Sequence, residues 1–330
     1  MFVNLVVGDG TALRSENVQN VEEPTWMKEP NDISAVFRKP MECARKCFQN
    51  ENSSKLNRCY VQFEDFCRID LQLSRSTSKL YRRHIKRLAK YLKRQHLEEV
   101  TTDDIRNYLK TFDGLSPYTY SNALKALRAF FRDFMKAGYL VESFRFPSIA
   151  YNPIIVPSKE DLRVFYDNLK TAEERALFLL YATSGLRRNE VLSLLVNDID
   201  FTKRMIIPRT GRNERTNRTK RMWVSFFNEE AEKHLILHLK DNDSSRIFSI
   251  ASSTLAWKWS KMSKRINIHI SPTVLRAWFA TEMGELGVQD RYIDAFCGRV
   301  PKSVLARHYT DYSPERLKRI YDKAGLKVLS

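Results

Sequence analysis

Residues 183–194 read TSGLRRNEVLSL, and this run decides how the second half of the chain folds. Gly185 ends the helix that leads into it, since glycine enters the left-handed backbone without steric cost. Arg187 is thereby held at the junction of two helices, where a guanidinium can face a phosphate. Glu190, three residues on, has the spacing to pair with Arg187 and orient it.

Three further segments follow downstream: TVLRAWFAT at 273–281, FCGR at 296–299 and ARHYT at 306–310. Together the four segments resemble the signature boxes of the tyrosine recombinase (phage integrase) family. The first matches its Thr-Gly-Leu-Arg turn with a following Glu and a Leu-rich helix. The second matches its His-x-Leu-Arg box with the trailing Phe-Ala-Thr, the third its Leu-Gly-His box, and the fourth its terminal Tyr-Thr box. The resemblance is close over residues 158–325 and looser over 58–140, which look like the family's helical core-binding domain.

The resemblance implies a site-specific recombinase or integrase acting on duplex DNA through a covalent phosphotyrosine. Tyr309 matches the nucleophile, with Tyr312 and Tyr321 as its rivals in the same region. Arg187 and Arg276 match the pair that grips the non-bridging oxygens of a five-coordinate phosphorane, work suited to a planar and permanently charged group. The product implied is a 3′-phosphotyrosyl bond and a free 5′ hydroxyl. At two places the chain departs from the family. Thr273 stands where the second box has histidine, and Thr273 has no imidazole to serve as a base. Arg299 stands where the third box has histidine, and it still donates hydrogen bonds to a phosphate oxygen. These substitutions resemble integrases of archaeal viruses and plasmids, the spindle-shaped virus type in particular.

The leaving 5′ oxygen needs a proton, which the family takes from a hairpin lysine. Lys220 is the one lysine in the polar stretch 209–221. Arg209 competes by its place before the turn, although arginine is a poor general acid. His308 neighbours Tyr309 but faces another way on a helix, so it reads as a surface or DNA-backbone residue.

Composition agrees with a polyanionic partner. The 330 residues carry 56 Lys and Arg against 39 Asp and Glu, a formal charge of +17, with a pI near 9.7. Such a charge draws the chain toward nucleic acid or an anionic membrane. No run approaches the roughly 18 apolar residues of a bilayer span, and the N-terminus has no signal-peptide pattern, so duplex DNA in the cytoplasm, at the host nucleoid, is the expected setting. The basic character concentrates at 79–94, where Lys79, Arg82, Arg83, Lys86, Arg87 and Lys90 stand with no acidic residue between Leu71 and Leu97. Cations of one sign repel unless phosphates neutralise them, so this helix is expected on DNA, together with Arg128 and Arg132 further on.

Neither a GxxxxGK[ST] loop nor clustered carboxylates occur, so no nucleotide or metal cofactor is expected. The cysteines number five, without a CxxC pair. Cys43 and Cys47 lie four apart, but no second ligand pair follows at zinc spacing, and reduced thiols are the reading.

Apolar periodicity lays out the rest. Residues 1–55 form an arm, with an amphipathic stretch at 33–48, a polar linker at 49–55 and a possible part in oligomerisation. Residues 56–141 read as four helices, the core-binding domain. Residues 142–157 carry three prolines and form the linker. Residues 158–330 read as a mainly α catalytic domain with one small sheet, a hairpin flanking the basic loop. Ser158 with Asp161, and Thr171 with Glu174, are spaced as capping boxes. The implied active form is a homotetramer on two DNA sites, a dimer on each, with the helix at 314–323 placed to dock on a neighbouring subunit. Two other readings share the features: a type IB topoisomerase acting as a monomer, and a DNA-binding regulator without catalysis, which Thr273 suggests.

Overall fold

The computed structural model describes residues 53–93, 97–150, 153–208, 224–240, 244–299 and 303–330. The arm to residue 52, with Cys43 and Cys47, lies outside the described residues, as do Arg94, Arg209 and Lys220.

The first helical unit comprises α1 (Ser53–Ile69), α2 (Arg75–Leu92), α3 (Thr102–Lys110) and α4 (Pro117–Leu127). Helix α1 begins inside the run read as a linker and takes in its last three residues. Local chemistry starts the others. Ser74 caps α2, Thr101 and Asp104 form a reciprocal capping box on α3, and Ser116 with Pro117 opens α4. The apolar stripes of all four meet in one core, where Cys59, Phe63, Ile85, Leu88, Ile105 and Leu124 are fully buried. Helix α4 does not continue as a regular α-helix beyond Leu127. It widens at Arg128–Phe134 into a π-helical stretch, with the Met135 N–H reaching back to the Phe130 carbonyl. The wider turn buries Phe130, Phe131 and Phe134 together, and Phe63 packs edge-on to Phe130 at 5.0 Å.

The second unit is built on α6 (Ala172–Ser184), buried from Ala176 to Ser184 without a polar face. Around it lie α5 (Lys159–Asp167), α7 (Arg188–Leu192), α8 (Glu229–Leu239), α9 (Ser252–Ile266) and α10 (Pro272–Glu285). Trp259 of α9 is wedged against Phe165, Phe178 and Tyr181, with ring centroids 5.4–6.3 Å apart. The Ser158–Asp161 capping box forms in full on α5. Thr171 accepts the Glu174 N–H, but the Glu174 carboxylate turns to Lys258 at 2.8 Å and to the Lys170 N–H. Burial pushes the Glu174 carboxyl up, and the hydrogen bonds from Lys258 and Lys170 outweigh it and hold it below the usual range.

The expected hairpin is part of a three-stranded antiparallel sheet. Strands β1 (Ile199–Asp200), β2 (Met205–Ile206) and β3 (Ser225–Phe226) lie in the order β1-β2-β3, pairing Ile199 with Ile206 and Met205 with Phe226. Ser225, Phe226 and Phe227 are all buried there, so this strand is covered on both faces.

Helices α11 (Asp290–Phe296), α12 (Val304–His308) and α13 (Pro314–Ala324) close the chain. Helix α13 is seated on its own domain through one face. Leu317 and Tyr321 are buried, and the Tyr321 ring lies between Phe226 and Phe296. Beyond α13, Glu230 accepts the N–H groups of Val328 and Leu329, and Arg163 donates to the Leu329 carbonyl.

Candidate active site

Two arginines from different helices converge on one main-chain oxygen. At the end of α6, Gly185 takes φ 62°, and a Cβ there would lie 2.4 Å from the Phe279 ring. The chain can therefore turn toward α7 only with glycine at this point. Arg187 follows as the N-cap residue of α7, and the buried Glu190 carboxylate holds it twice, accepting its main-chain N–H at 2.8 Å and its Nη1 at 3.1 Å.

Arg276 comes from the second turn of α10, a helix opened by Ser271 and Pro272. Its Nη1 donates to the Gly185 carbonyl at 2.6 Å and its Nη2 to the Cys297 carbonyl at 2.8 Å. Arg187 Nη1 approaches the same Cys297 oxygen at 3.5 Å. Beyond the end of α11, Gly298 turns the chain at φ 59°, and Arg299 folds back onto Asp294, its N–H to the carbonyl at 2.8 Å and its Nη1 to the carboxylate at 3.0 Å.

The electrostatics are those of an anion site. Burial lowers Arg276 below the ordinary guanidinium range, the charges of Arg187 and Arg299 push the same way, and nearby Glu190 opposes the shift. Both hydrogen bonds of Arg276 end on neutral carbonyls rather than a carboxylate. Burial raises the Cys297 thiol, so it stays protonated and inert. Thr273 lies exposed on the first turn of α10. Among the described residues no group of three His, Cys, Asp or Glu is arranged to hold a metal ion.

The three tyrosines differ sharply. Tyr321 is buried and its hydroxyl donates to the Thr183 carbonyl at 2.8 Å, with burial raising its pKa strongly. Tyr312 is half-buried and donates to the Ala306 carbonyl at 2.7 Å. Tyr309, at the C-terminal end of α12, is 77% exposed. Among the described residues, its hydroxyl takes part in none of the hydrogen bonds that join the arginine cluster. His308 is exposed beside it.

Sequence reasoning did not find two parts of this site. The Cys297 carbonyl is a main-chain acceptor and leaves no trace in residue identity. Asp294 lies five residues before Arg299, a spacing legible only once α11 is known to end between them.

On α2, Lys79, Arg83, Lys86, Arg87 and Lys90 are exposed. Others of the expected set are engaged internally. Arg82 pairs with Glu64 of α1 at 2.7 Å, Arg128 donates to the Phe144 carbonyl and stacks 4.7 Å over the Phe146 ring, and Arg132 pairs with Asp133. Lys86 lies over the Tyr60 ring at 5.1 Å. No helix among the described residues is long and apolar enough to cross a membrane.

The chain is similar to several known proteins. The phage integrase family model matches residues 158–316, and the model of the phage integrase N-terminal SAM-like domain matches residues 60–139. The tyrosine recombinase XerA of Thermococcus onnurineus is 27% identical over 256 residues, covering 73% of this chain and 89% of the relative. The tyrosine recombinase XerC of Listeria welshimeri is 26% identical over 294 residues, covering 79% and 95%. Among solved structures, the Tn1549 transposon integrase in complex with circular intermediate DNA superposes with a TM-score of 0.55 at 16% identity, covering 79% of this chain and 98% of the other. The XerH site-specific recombinase bound to its difH substrate superposes with a TM-score of 0.54 at 17% identity, covering 87% of each. These structures share the fold.

Proposed function

Since this chain belongs to the phage integrase family of tyrosine recombinases, we infer that it cuts and rejoins DNA at specific sites, with Tyr309 forming a 3′-phosphotyrosyl bond. The observation that carries the residue assignment is the convergence of Arg187 and Arg276 on the Cys297 carbonyl; of the three candidate tyrosines, Tyr312 and Tyr321 commit their hydroxyls to main-chain carbonyls, and Tyr309 is the exposed one.

The steps follow from the chemistry of these groups. The Tyr309 oxygen attacks a backbone phosphorus, and its proton leaves as the bond forms. Negative charge builds on the non-bridging oxygens, where Arg187, Arg276 and Arg299 donate more strongly than in the ground state. Glu190 keeps Arg187 aimed, and Asp294 does the same for Arg299. The 5′ oxygen departs with a proton from Lys220, or from Arg209 as the competing group. Rejoining reverses these steps, so the phosphodiester energy is held in the tyrosyl bond and no nucleotide is consumed. Thr273 carries no base, and the proton of Tyr309 passes to a group other than an imidazole at that position.

Exchange between two duplexes breaks four strands, and one nucleophile per chain then calls for four copies, two on each site. We therefore assign a homotetramer on two DNA sites, working at the host nucleoid, in the manner of an archaeal virus or plasmid integrase. The exposed cations of α2, Lys79, Arg83, Lys86, Arg87 and Lys90, contact phosphates. Arg82, Arg128 and Arg132 serve that surface while also holding their protein partners.

The test is incubation with a randomised pool of nicked duplexes, whose short 5′ strand diffuses away after cleavage and traps the intermediate. A denaturant-resistant protein–DNA adduct on a defined sequence is expected. Binding without any adduct would instead favour the DNA-binding regulator, and relaxation of supercoils by a monomer would favour the topoisomerase.

A further inference from the structure

Packing does not hold the helix that carries Tyr309. Helix α12 buries none of its residues, and Val304, Leu305 and Tyr309 are 68%, 58% and 77% exposed. Its capping bonds are local. Ser303 accepts the Ala306 N–H, and the Thr310 hydroxyl donates to the Leu305 carbonyl. A segment of this kind, with little burial and exposed backbone bonds, opens at small cost in free energy.

Tyr312 ties it to the domain. The Tyr312 hydroxyl donates to the Ala306 carbonyl at 2.7 Å, one of the carbonyls that a helix end leaves without an intrahelical partner. The Tyr312 ring itself is anchored. It packs edge-on to the buried Tyr292 of α11 at 6.3 Å, and the Tyr292 hydroxyl accepts Arg316 Nε from α13 at 3.1 Å. Tyr312 therefore reaches from a fixed aromatic pair to the middle of α12, three residues from Tyr309.

We propose that Tyr312 is a positioning residue: its hydroxyl bolts α12 to the catalytic domain and so sets where the Tyr309 oxygen stands. The proposal rests on the reading of Tyr309 as nucleophile. In-line attack tolerates little error, since a misplacement of about 1 Å can cost roughly 10²-fold in rate. Losing the bolt leaves the fold intact, because Phe at 312 keeps the ring packing and removes only the donor.

The full-length Tyr312→Phe variant tests this in two ways. In the free protein, hydrogen exchange at the amides of Arg307 and Tyr309, which bond to Ser303 and Leu305, should quicken about fivefold, the effect of one lost hydrogen bond. On saturating nicked DNA, adduct formation should slow about tenfold, with DNA affinity and thermal midpoint unchanged. Unchanged exchange, or exchange that quickens while the adduct forms at the normal rate, overturns the proposal. Failure of the unaltered protein to form any adduct would instead sink the phosphotyrosine reading, and the exchange measurement would still judge the bolt.

Discussion

Arg276 and Gly185 lie 91 positions apart in sequence and are joined by a 2.6 Å hydrogen bond from Nη1 to the glycine carbonyl. The second arginine box is thereby locked onto the turn that presents the first. Any change at Gly185 acts on both arginines at once.

Gly185→Ala places a Cβ into the Phe279 ring and forces a left-handed backbone on alanine. Strain and overpacking together should cost about 2 to 5 kcal/mol in urea unfolding. Adduct formation should fall at temperatures where the variant remains folded. A loss under about 0.5 kcal/mol, the scatter of ordinary surface changes, would show that the turn relaxes and that the close approach is unimportant.

The basic helix separates into two kinds of cation. Replacing Arg83, Lys86 and Lys90 with Ala should reduce the salt slope of DNA affinity by roughly 0.9 for each phosphate left unneutralised. Arg82→Ala should instead weaken the α1–α2 contact through Glu64, lowering stability more than it changes the slope. Equal slopes for the triple variant and the unaltered protein would make this helix a solvated face.

His84 gives a pH dependence with a definite sign. It is buried on α2 beside Arg87 and Arg83, and burial first, then those two charges, lower its pKa to about 4. The unfolded chain, near the ordinary value of about 6.5, binds a proton that the folded chain refuses. Stability from this residue is therefore complete above pH 6.5 and drains away as pH falls toward 4, by up to about 3 kcal/mol. His84→Gln should flatten that slope in unfolding curves taken between pH 4 and 7. An unchanged slope would mean that His84 accepts its proton in the folded state.

How much of this was legible depended on the kind of signal. The arginine boxes and Tyr309 stand in short, spaced segments, and the caps at Ser158 and Thr171 are local chemistry that residue identity displays. Strand β1 was missed because two residues carry no readable alternation. The π-helical turn at Arg128–Phe134 answers to the packing of three phenylalanines, which periodicity alone does not reveal. Arg82 looked free because its carboxylate, Glu64, sits on another helix. The residues that seat Tyr321 of α13, namely Phe226, Phe296 and Thr183, were not legible because they are distant in sequence.

Lys220 lies in the basic stretch between β2 and β3. If Lys220 protonates the leaving oxygen, Lys220→Ala should slow cleavage of ordinary DNA by roughly 10² to 10⁴ fold. On DNA with sulfur at the 5′ bridging position it should act near normally, because a thiolate departs unprotonated. Arg187→Ala should show no such rescue. Equal defects of Lys220→Ala on both substrates would pass the role to Arg209.

The most direct test of the whole account is the adduct formed by three single variants on nicked DNA. Tyr309→Phe should give none while binding DNA with nearly unchanged affinity. Tyr312→Phe should give the adduct slowly. Tyr321→Phe loses only a buried hydrogen bond and should still give it. A normal adduct from Tyr309→Phe, with loss in either of the others, would contradict the assignment of the nucleophile.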